Sequence, residues 1–155
     1  MSDAFTAALA LLARRAMTRR EVEARLRARG HAEPDLKDAV ARLAERGLLD
    51  DARLARDWIE THAALRGRER ILGGLEARGL ERCVAESAWD DAVAEGAVDA
   101  ASAVARAARR RLGPPRAPVA KARLARVYNA LLHEGFEPEA VETALEPYGF
   151  ERTEP

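Results

Sequence analysis

Cysteine is almost absent from this sequence, since Cys83 is the only one among 155 residues. A disulfide within the chain is therefore excluded, which predicts a reducing, cytoplasmic compartment. We expect the Cys83 thiol to be half-buried and unreactive, although the adjacent Arg82 would favour a thiolate. Histidine is also scarce, and His31, His62 and His133 lie too far apart for zinc-ligand spacing. We therefore expect no metal and no cofactor.

Long hydrophobic runs are absent too, because no apolar stretch approaches the roughly 20 residues that a membrane-spanning helix needs. The N-terminal stretch "MSDAFTAALALLARR" has the charge order of a signal peptide reversed. Asp3 precedes its apolar run, and Arg14 and Arg15 follow it. The stretch predicts the first amphipathic helix of a cytoplasmic protein without membrane contact.

Alternating β-branched runs of strand length are missing, whereas the strong helix formers Ala, Leu, Arg and Glu dominate. This composition predicts an all-α fold. No phosphate-binding loop, dinucleotide fingerprint or nucleophile elbow is present. The sequence therefore offers no motif for phosphate binding, dinucleotide binding or a nucleophilic serine.

The segments "ARLRARG", "GGLEARG" and "NALLHEG" end at Gly30, Gly79 and Gly135, where a helix would stop in a left-handed residue. Apolar residues recur after each glycine at the spacing i, i+3, i+4, i+7, which is typical of one helical face. These three stripes are Leu36, Ala39, Val40, Leu43; Ala85, Ala88, Trp89, Ala92; and Val141, Ala144, Leu145, Tyr148.

Each of these glycines separates a pair of predicted helices, and a further helix is predicted before each pair. The first of these further helices has Phe5, Leu9 and Leu12 on its apolar face. The further helix before the second pair carries Leu54, Trp58 and Leu65. The sequence therefore predicts three three-helix repeats, at 1–49, 50–96 and 97–155, with a proline-rich loop at 113–118 in the third. We expect Trp58 and Trp89 to pack in the core.

Helix starts are marked by capping residues. Thr18 and Glu21 have the spacing of a capping box, and Gly67 takes the matching place in the second repeat. Asp50 and Asp51 stand side by side in "GLLDDARLA", where Asp50 would cap a helix and Asp51 would face its dipole. No His, Ser or Lys constellation accompanies them, so we interpret this pair as structural and not catalytic.

Charge is unevenly spread, although the net charge is zero. Residues 97–135 hold eight basic and two acidic groups, and the candidate binding residues in this segment are Arg109, Arg110, Arg111, Arg116, Lys121, Arg123 and Arg126. On one continuous helix, Arg116, Arg123 and Arg126 would share a side. A secondary basic patch comprises Arg14, Arg15, Arg19, Arg20, Arg25, Arg27 and Arg29. Such clusters favour a polyanionic partner.

The stretches "ALALLARRAMTRREVEARLRARG", "VARLAERGLLDDARLARDWIE" and "LRGRERILGGLEARGLE" together resemble the RecX family of bacterial regulators of the RecA recombinase. The most specific part runs from Leu43 to Ala55, followed by Leu75 to Gly79. The resemblance implies an elongated, curved array of three three-helix repeats, and a protein that is not an enzyme and has no catalytic residues. It also implies a protein that binds the groove of the RecA–single-stranded-DNA filament and damps ATP hydrolysis and strand exchange.

We expect a monomer whose partners are the RecA filament and, weakly, single-stranded DNA, with duplex DNA as a further candidate. Two other functions compete with filament regulation. Three-helix units also form helix-turn-helix transcription regulators, but the second helix is poor in the Asn and Gln that read bases. A hydrolase using Asp50 and Asp51 is the other alternative, and it lacks a third catalytic group.

Overall fold

The computed structural model describes residues 3–151, and this part of the chain is helical, without a strand. The predicted all-α class is confirmed. The helices are, in chain order, α1 (Ala4–Leu12), α2 (Arg19–Ala28), α3 (Glu33–Glu45), α4 (Asp51–His62), α5 (Arg68–Ala77), α6 (Arg82–Ala94), α7 (Ala100–Leu112), α8 (Lys121–His133) and α9 (Pro138–Leu145). A 3₁₀ turn, Glu146–Tyr148, follows α9.

The predicted apolar stripes form the core. In α3 the stripe from Leu36 to Leu43 is at most 5% exposed, and most of the corresponding residues in α6 and α9 are buried. Gly30, Gly79 and Gly135 have φ values of +85°, +93° and +89°, so each occupies the left-handed region that favours glycine. The helix ends predicted at these glycines are confirmed.

The apolar face predicted for α1 is wrong in detail. Phe5 is buried, but Leu9 is 37% exposed, and Leu11 is the buried leucine. Alanines 4, 7 and 8 line the buried face, because small side chains let α1 lie close to α3. Leu65 lies beyond the end of α4 and is 59% exposed.

The two tryptophans differ in their surroundings. Trp89 is buried, as predicted, with 6% of its surface exposed. Trp58 is only partly buried and stacks on His62, with 4.1 Å between the ring centroids. The prediction that Trp58 packs in the core is therefore only partly right, because its ring stacks on His62, one turn further along α4, and the residue stays partly exposed.

The chain forms two compact units. One comprises the residues up to 57 together with 74–88, and its core centres on α1, α2 and α3. The other comprises 58–73 together with the residues from 89 onward, and its core centres on α7, α8 and α9. The division passes through α4, α5 and α6, while the repeat bounds 1–49, 50–96 and 97–155 stay a prediction.

The start of α2 is joined to the end of α5 within the first unit. Thr18 and Glu21 form the predicted capping box. In addition, the Thr18 hydroxyl donates to the Arg78 carbonyl at 2.7 Å. The Arg78 guanidinium donates to both oxygens of Glu21, at 3.1 and 3.0 Å, and to the Ala16 carbonyl at 2.9 Å. The start of α2 thereby satisfies a carbonyl at the end of α5, and Arg78 in turn holds the glutamate of the capping box.

We call such a contact between a helix start and a helix end a joint. A second joint lies in the second unit, between the start of α5 and the end of α8. The Gly67 N–H donates to the Glu134 carbonyl at 2.9 Å. A Cβ at Gly67 would lie 2.1 Å from the carbonyl carbon of Gly135, so the two backbones touch directly. Glycine at position 67 is therefore required by this close approach, and not only tolerated as a helix cap.

Candidate binding surface

The paired aspartates Asp50 and Asp51 each accept a backbone hydrogen bond. The Arg53 N–H donates to Asp50 Oδ1 at 3.0 Å, which is the bond of a helix cap. The Arg19 N–H donates to Asp51 Oδ1 at 3.0 Å, so Asp51 satisfies the first turn of α2 as well as lying in the first turn of α4. Both carboxylates thus have a structural partner at a helix start.

Two of the seven cations predicted to bind in the third repeat hold α7 to α8 instead. Arg111 forms an ion pair with Glu134, and both side chains are about 30% exposed. The Arg123 guanidinium donates to the Arg111 carbonyl at 3.1 Å, where it covers the C-terminal end of α7. A cation at this end also interacts favourably with the helix dipole. Arg111 and Arg123 are therefore engaged within the fold.

The other five, Arg109, Arg110, Arg116, Lys121 and Arg126, are exposed. Within residues 3–151 none of their side chains has a hydrogen bond or ion pair. Because α8 begins at Lys121, Arg116 lies in the preceding loop. The expectation that Arg116 shares a helix side with Arg123 and Arg126 is therefore wrong, since the prolines around it prevent helix continuation. We call these five residues the C-terminal basic surface.

The loop that carries Arg116 is anchored at both ends by Tyr148. The Tyr148 hydroxyl donates to the Gly113 carbonyl at 2.7 Å, and the Val119 N–H donates to the Tyr148 carbonyl at 2.9 Å. Tyr148 itself is 4% exposed. Arg116 therefore lies on a loop that is held to the core at both of its ends.

The secondary basic patch also contains both arginines that are engaged within the fold and arginines that are not. Arg15 and Arg27 form ion pairs with Glu21 and Glu33, and the hydrogen bond from Arg27 lowers the pKa of Glu33. Arg20 packs its aliphatic stem against Gly79. The side chains of the other four, Arg14, Arg19, Arg25 and Arg29, are exposed and bond to nothing in the described part of the chain.

Sequence reasoning missed Arg78, Glu134 and Tyr148, which carry the joints. Each directly precedes a left-handed glycine, and that shared position is the signal that could have identified them. The expectation for Cys83 is wrong, because the residue is exposed. Its neighbour Arg82 pairs with Glu76 and Glu86.

Residues 3–151 contain neither a cluster of metal-ligating side chains nor a helix suited to span a membrane. Across positions 3–151, no three His, Cys, Asp or Glu side chains come together to hold a metal ion. Over the same span, none of the helices has the length and apolar character that crossing a bilayer demands.

Known proteins resemble this chain in sequence and in fold. The family model for RecX, first three-helix domain, matches residues 4–43. Regulatory protein RecX of Thermus thermophilus is 37% identical over 116 residues, which cover 75% of this chain and 78% of that protein. Regulatory protein RecX of Chromohalobacter salexigens is 39% identical over 84 residues, and the match spans only 55% of its length.

The fold is similar to that of two solved structures. The crystal structure of RecX from Lactobacillus salivarius superimposes with a TM-score of 0.81 over 94% of each chain, at 20% identity. A crystal structure of a regulatory protein RecX gives a TM-score of 0.75 over 92% of this chain and 70% of that one, at 19% identity. The helical arrangement is therefore shared despite low identity.

Proposed function

The chain belongs to the RecX family, a family of regulatory proteins, and from that premise we propose that it regulates a RecA recombinase. It binds the RecA–single-stranded-DNA filament and mainly inhibits it, by damping ATP hydrolysis and strand exchange. In this proposal it acts in the cytoplasm as a monomer, without catalysis of its own.

The observation that carries the proposal is the C-terminal basic surface. Its five cations are exposed and bond to no described residue, although 26 acidic residues in the chain balance the charge overall. A filament groove offers DNA phosphates and protein carboxylates, and arginine can contact both with two parallel hydrogen bonds. The acidic remainder of the chain limits indiscriminate attachment to DNA.

The contacts at α2 argue against a helix-turn-helix transcription regulator. In that class the N-terminal residues of a recognition helix contact base edges. Here Thr18 and Glu21 are bonded to Arg78, and the Arg19 N–H is bonded to Asp51. A helix start that is occupied within the fold is not free to read bases, which argues against α2 as a recognition helix.

A binding experiment tests the proposal. Fluorescence anisotropy would compare the affinity of the protein for a RecA–single-stranded-DNA filament with its affinity for the same DNA alone and for random duplex DNA. We expect the protein to bind the filament at least about tenfold more tightly than either DNA, a difference of about 1.4 kcal/mol. Tighter binding to the duplex than to the filament would instead support the transcription regulator, and equal affinity for all three would contradict both.

A further inference from the structure

Three helix starts in this protein are bonded to the carbonyl that precedes a left-handed glycine. The donors are the Thr18 hydroxyl, the Gly67 N–H and the Val119 N–H, and the acceptors are the carbonyls of Arg78, Glu134 and Tyr148 respectively. The three bonds are 2.7, 2.9 and 2.9 Å long. The starts of α2, α5 and α8 are thus each covered by a helix or turn end from within the chain.

The end of α2 has the same local structure but no such cover. Arg29 precedes the left-handed Gly30, as Arg78 precedes Gly79. A Cβ placed at Gly79 would lie 2.8 Å from Arg20, whereas one at Gly30 would have nothing within 4 Å. Arg29 and Gly30 are exposed, whereas Arg78 and Gly79 are half-buried.

Arg29 also has the side chain that completes the covered joint. At the equivalent position, Arg78 bonds both carboxylate oxygens of Glu21, the third residue of α2, and the carbonyl of Ala16, two residues before the cap. The Arg29 guanidinium bonds to no residue between 3 and 151. It is therefore available to bind a helix start of the same chemistry.

We propose that the end of α2, from Ala28 to His31, binds the first turn of a helix in a partner protein. That helix carries Ser or Thr at its cap and Glu at its third position, and Arg29 bonds the glutamate. The covered joint supports this occupant, because there Arg78 donates to both carboxylate oxygens of Glu21 in the first turn of α2. The inference rests on the proposed function only in naming the RecA filament as its source.

A second copy of this chain is not the occupant. The three helix starts that use this joint, at α2, α5 and α8, are already covered within the chain. DNA phosphate is a different ligand for the same guanidinium, and the experiment separates it from a protein helix.

The first test compares Arg29→Ala with Arg53→Ala, a matched control outside both basic clusters, whose side chain is also exposed and without a partner among the described residues. For Arg29→Ala we expect about a tenfold loss of affinity for the RecA–single-stranded-DNA filament, the size of a hydrogen bond to a charged group. Arg53→Ala should leave that affinity nearly unchanged, and neither should alter binding to the DNA alone. Unchanged filament affinity for Arg29→Ala, or an equal loss on DNA alone, would overturn the proposal.

A second probe decides the matter if the unaltered protein does not bind the filament, which would refute the proposed function without testing this inference. The probe is a peptide of residues 15–28, "RAMTRREVEARLRA", which contains the capping box that occupies the equivalent joint. At millimolar concentration it should shift the amide NMR signals of Arg29, Gly30 and His31. The shifts should vanish for Arg29→Glu protein and for peptide with Glu21→Gln. No shifts, or shifts that persist in both variants, would overturn the inference.

Discussion

Glu21 is the residue on which the first joint depends most. Burial alone would raise its pKa, but the hydrogen bonds from Arg78 and from the Thr18 N–H lower it below the ordinary value for glutamate. Because the pKa of Glu21 is lower in the folded than in the unfolded state, the ionised carboxylate stabilises the fold fully at pH values above the ordinary pKa of glutamate. That contribution is lost as the pH falls through the folded-state pKa.

Replacing Glu21 with glutamine should therefore destabilise the protein at neutral pH by about 1–3 kcal/mol, the size of hydrogen bonds to a charged group. The deficit relative to the unaltered protein should shrink at acid pH, where Glu21 is protonated. Urea unfolding at neutral and at acid pH would measure both effects. Glu45→Gln is the control, since Glu45 is exposed and forms no ion pair in the described chain. An undiminished deficit in acid would contradict this account.

Asp50→Ala tests the cap at α4. Loss of the bond from the Arg53 N–H should cost about 0.5–2 kcal/mol of unfolding free energy. Asp91→Ala is the control, since Asp90 and Asp91 are adjacent exposed residues inside α6, and it should change stability by no more than about 0.5 kcal/mol. Equal effects of the two substitutions in thermal unfolding would refute a capping role for Asp50.

Helix α5 and the residue before it contain three glycines, and two of them, Gly67 and Gly73, have opposite structural roles. Gly67 lies at the helix start and touches the backbone of Gly135, whereas Gly73 lies inside the helix and is exposed, and a Cβ placed there would have nothing within 4 Å. The role of Gly67 cannot be predicted from the sequence of α5, because the residues that it touches, Gly135 and Phe136, are distant from it in the sequence. The element therefore offers an internal comparison of close approach with helix propensity.

Gly67→Ala should destabilise the fold by about 1–3 kcal/mol or more, because the new methyl group would force α5 away from the end of α8. Gly73→Ala should stabilise it by about 0.5–1 kcal/mol through helix propensity. Chemical denaturation of the two variants gives both signs in one experiment. A neutral Gly67→Ala would show that the two backbones do not meet as described.

Helix positions were predictable from the sequence because their signals are local. In α2 the Thr18–Glu21 capping box, the buried Val22 and Leu26 and the left-handed Gly30 all lie within one short stretch. The pairing of Glu21 with Arg78 was not predictable, because the partners are 57 residues apart and no periodicity links them. The same distance effect hid the Arg111–Glu134 pair, and with it the division of the basic residues into structural and available ones.

At the scale of the whole molecule, a chain of zero net charge holds an excess of six positive charges within residues 97–135. Five exposed cations there have no partner in the described part, and the loop of Arg116 is held by Tyr148. Phosphate contacts from such a surface release counterions, so filament binding should weaken steeply with salt.

Replacing Arg116, Lys121 and Arg126 with alanine should lower filament affinity and reduce the slope of log affinity against log salt by about 2, given about 0.7 per phosphate contact on a single strand. Arg123 is left intact because it holds α7 to α8. The matched control removes Lys37, Arg53 and Arg66, three exposed cations outside the segment. An unchanged slope would move the contact surface to the free arginines of the secondary basic patch.

The most direct measurement is a titration of this protein into a RecA–single-stranded-DNA ATPase assay. We expect ATP hydrolysis to fall at substoichiometric or near-stoichiometric amounts, and the variant lacking Arg116, Lys121 and Arg126 to need about tenfold more protein for the same effect. The control variant lacking Lys37, Arg53 and Arg66 should match the unaltered protein. An ATPase rate that stays constant at stoichiometric excess of the unaltered protein would contradict the central claim that this chain inhibits the filament.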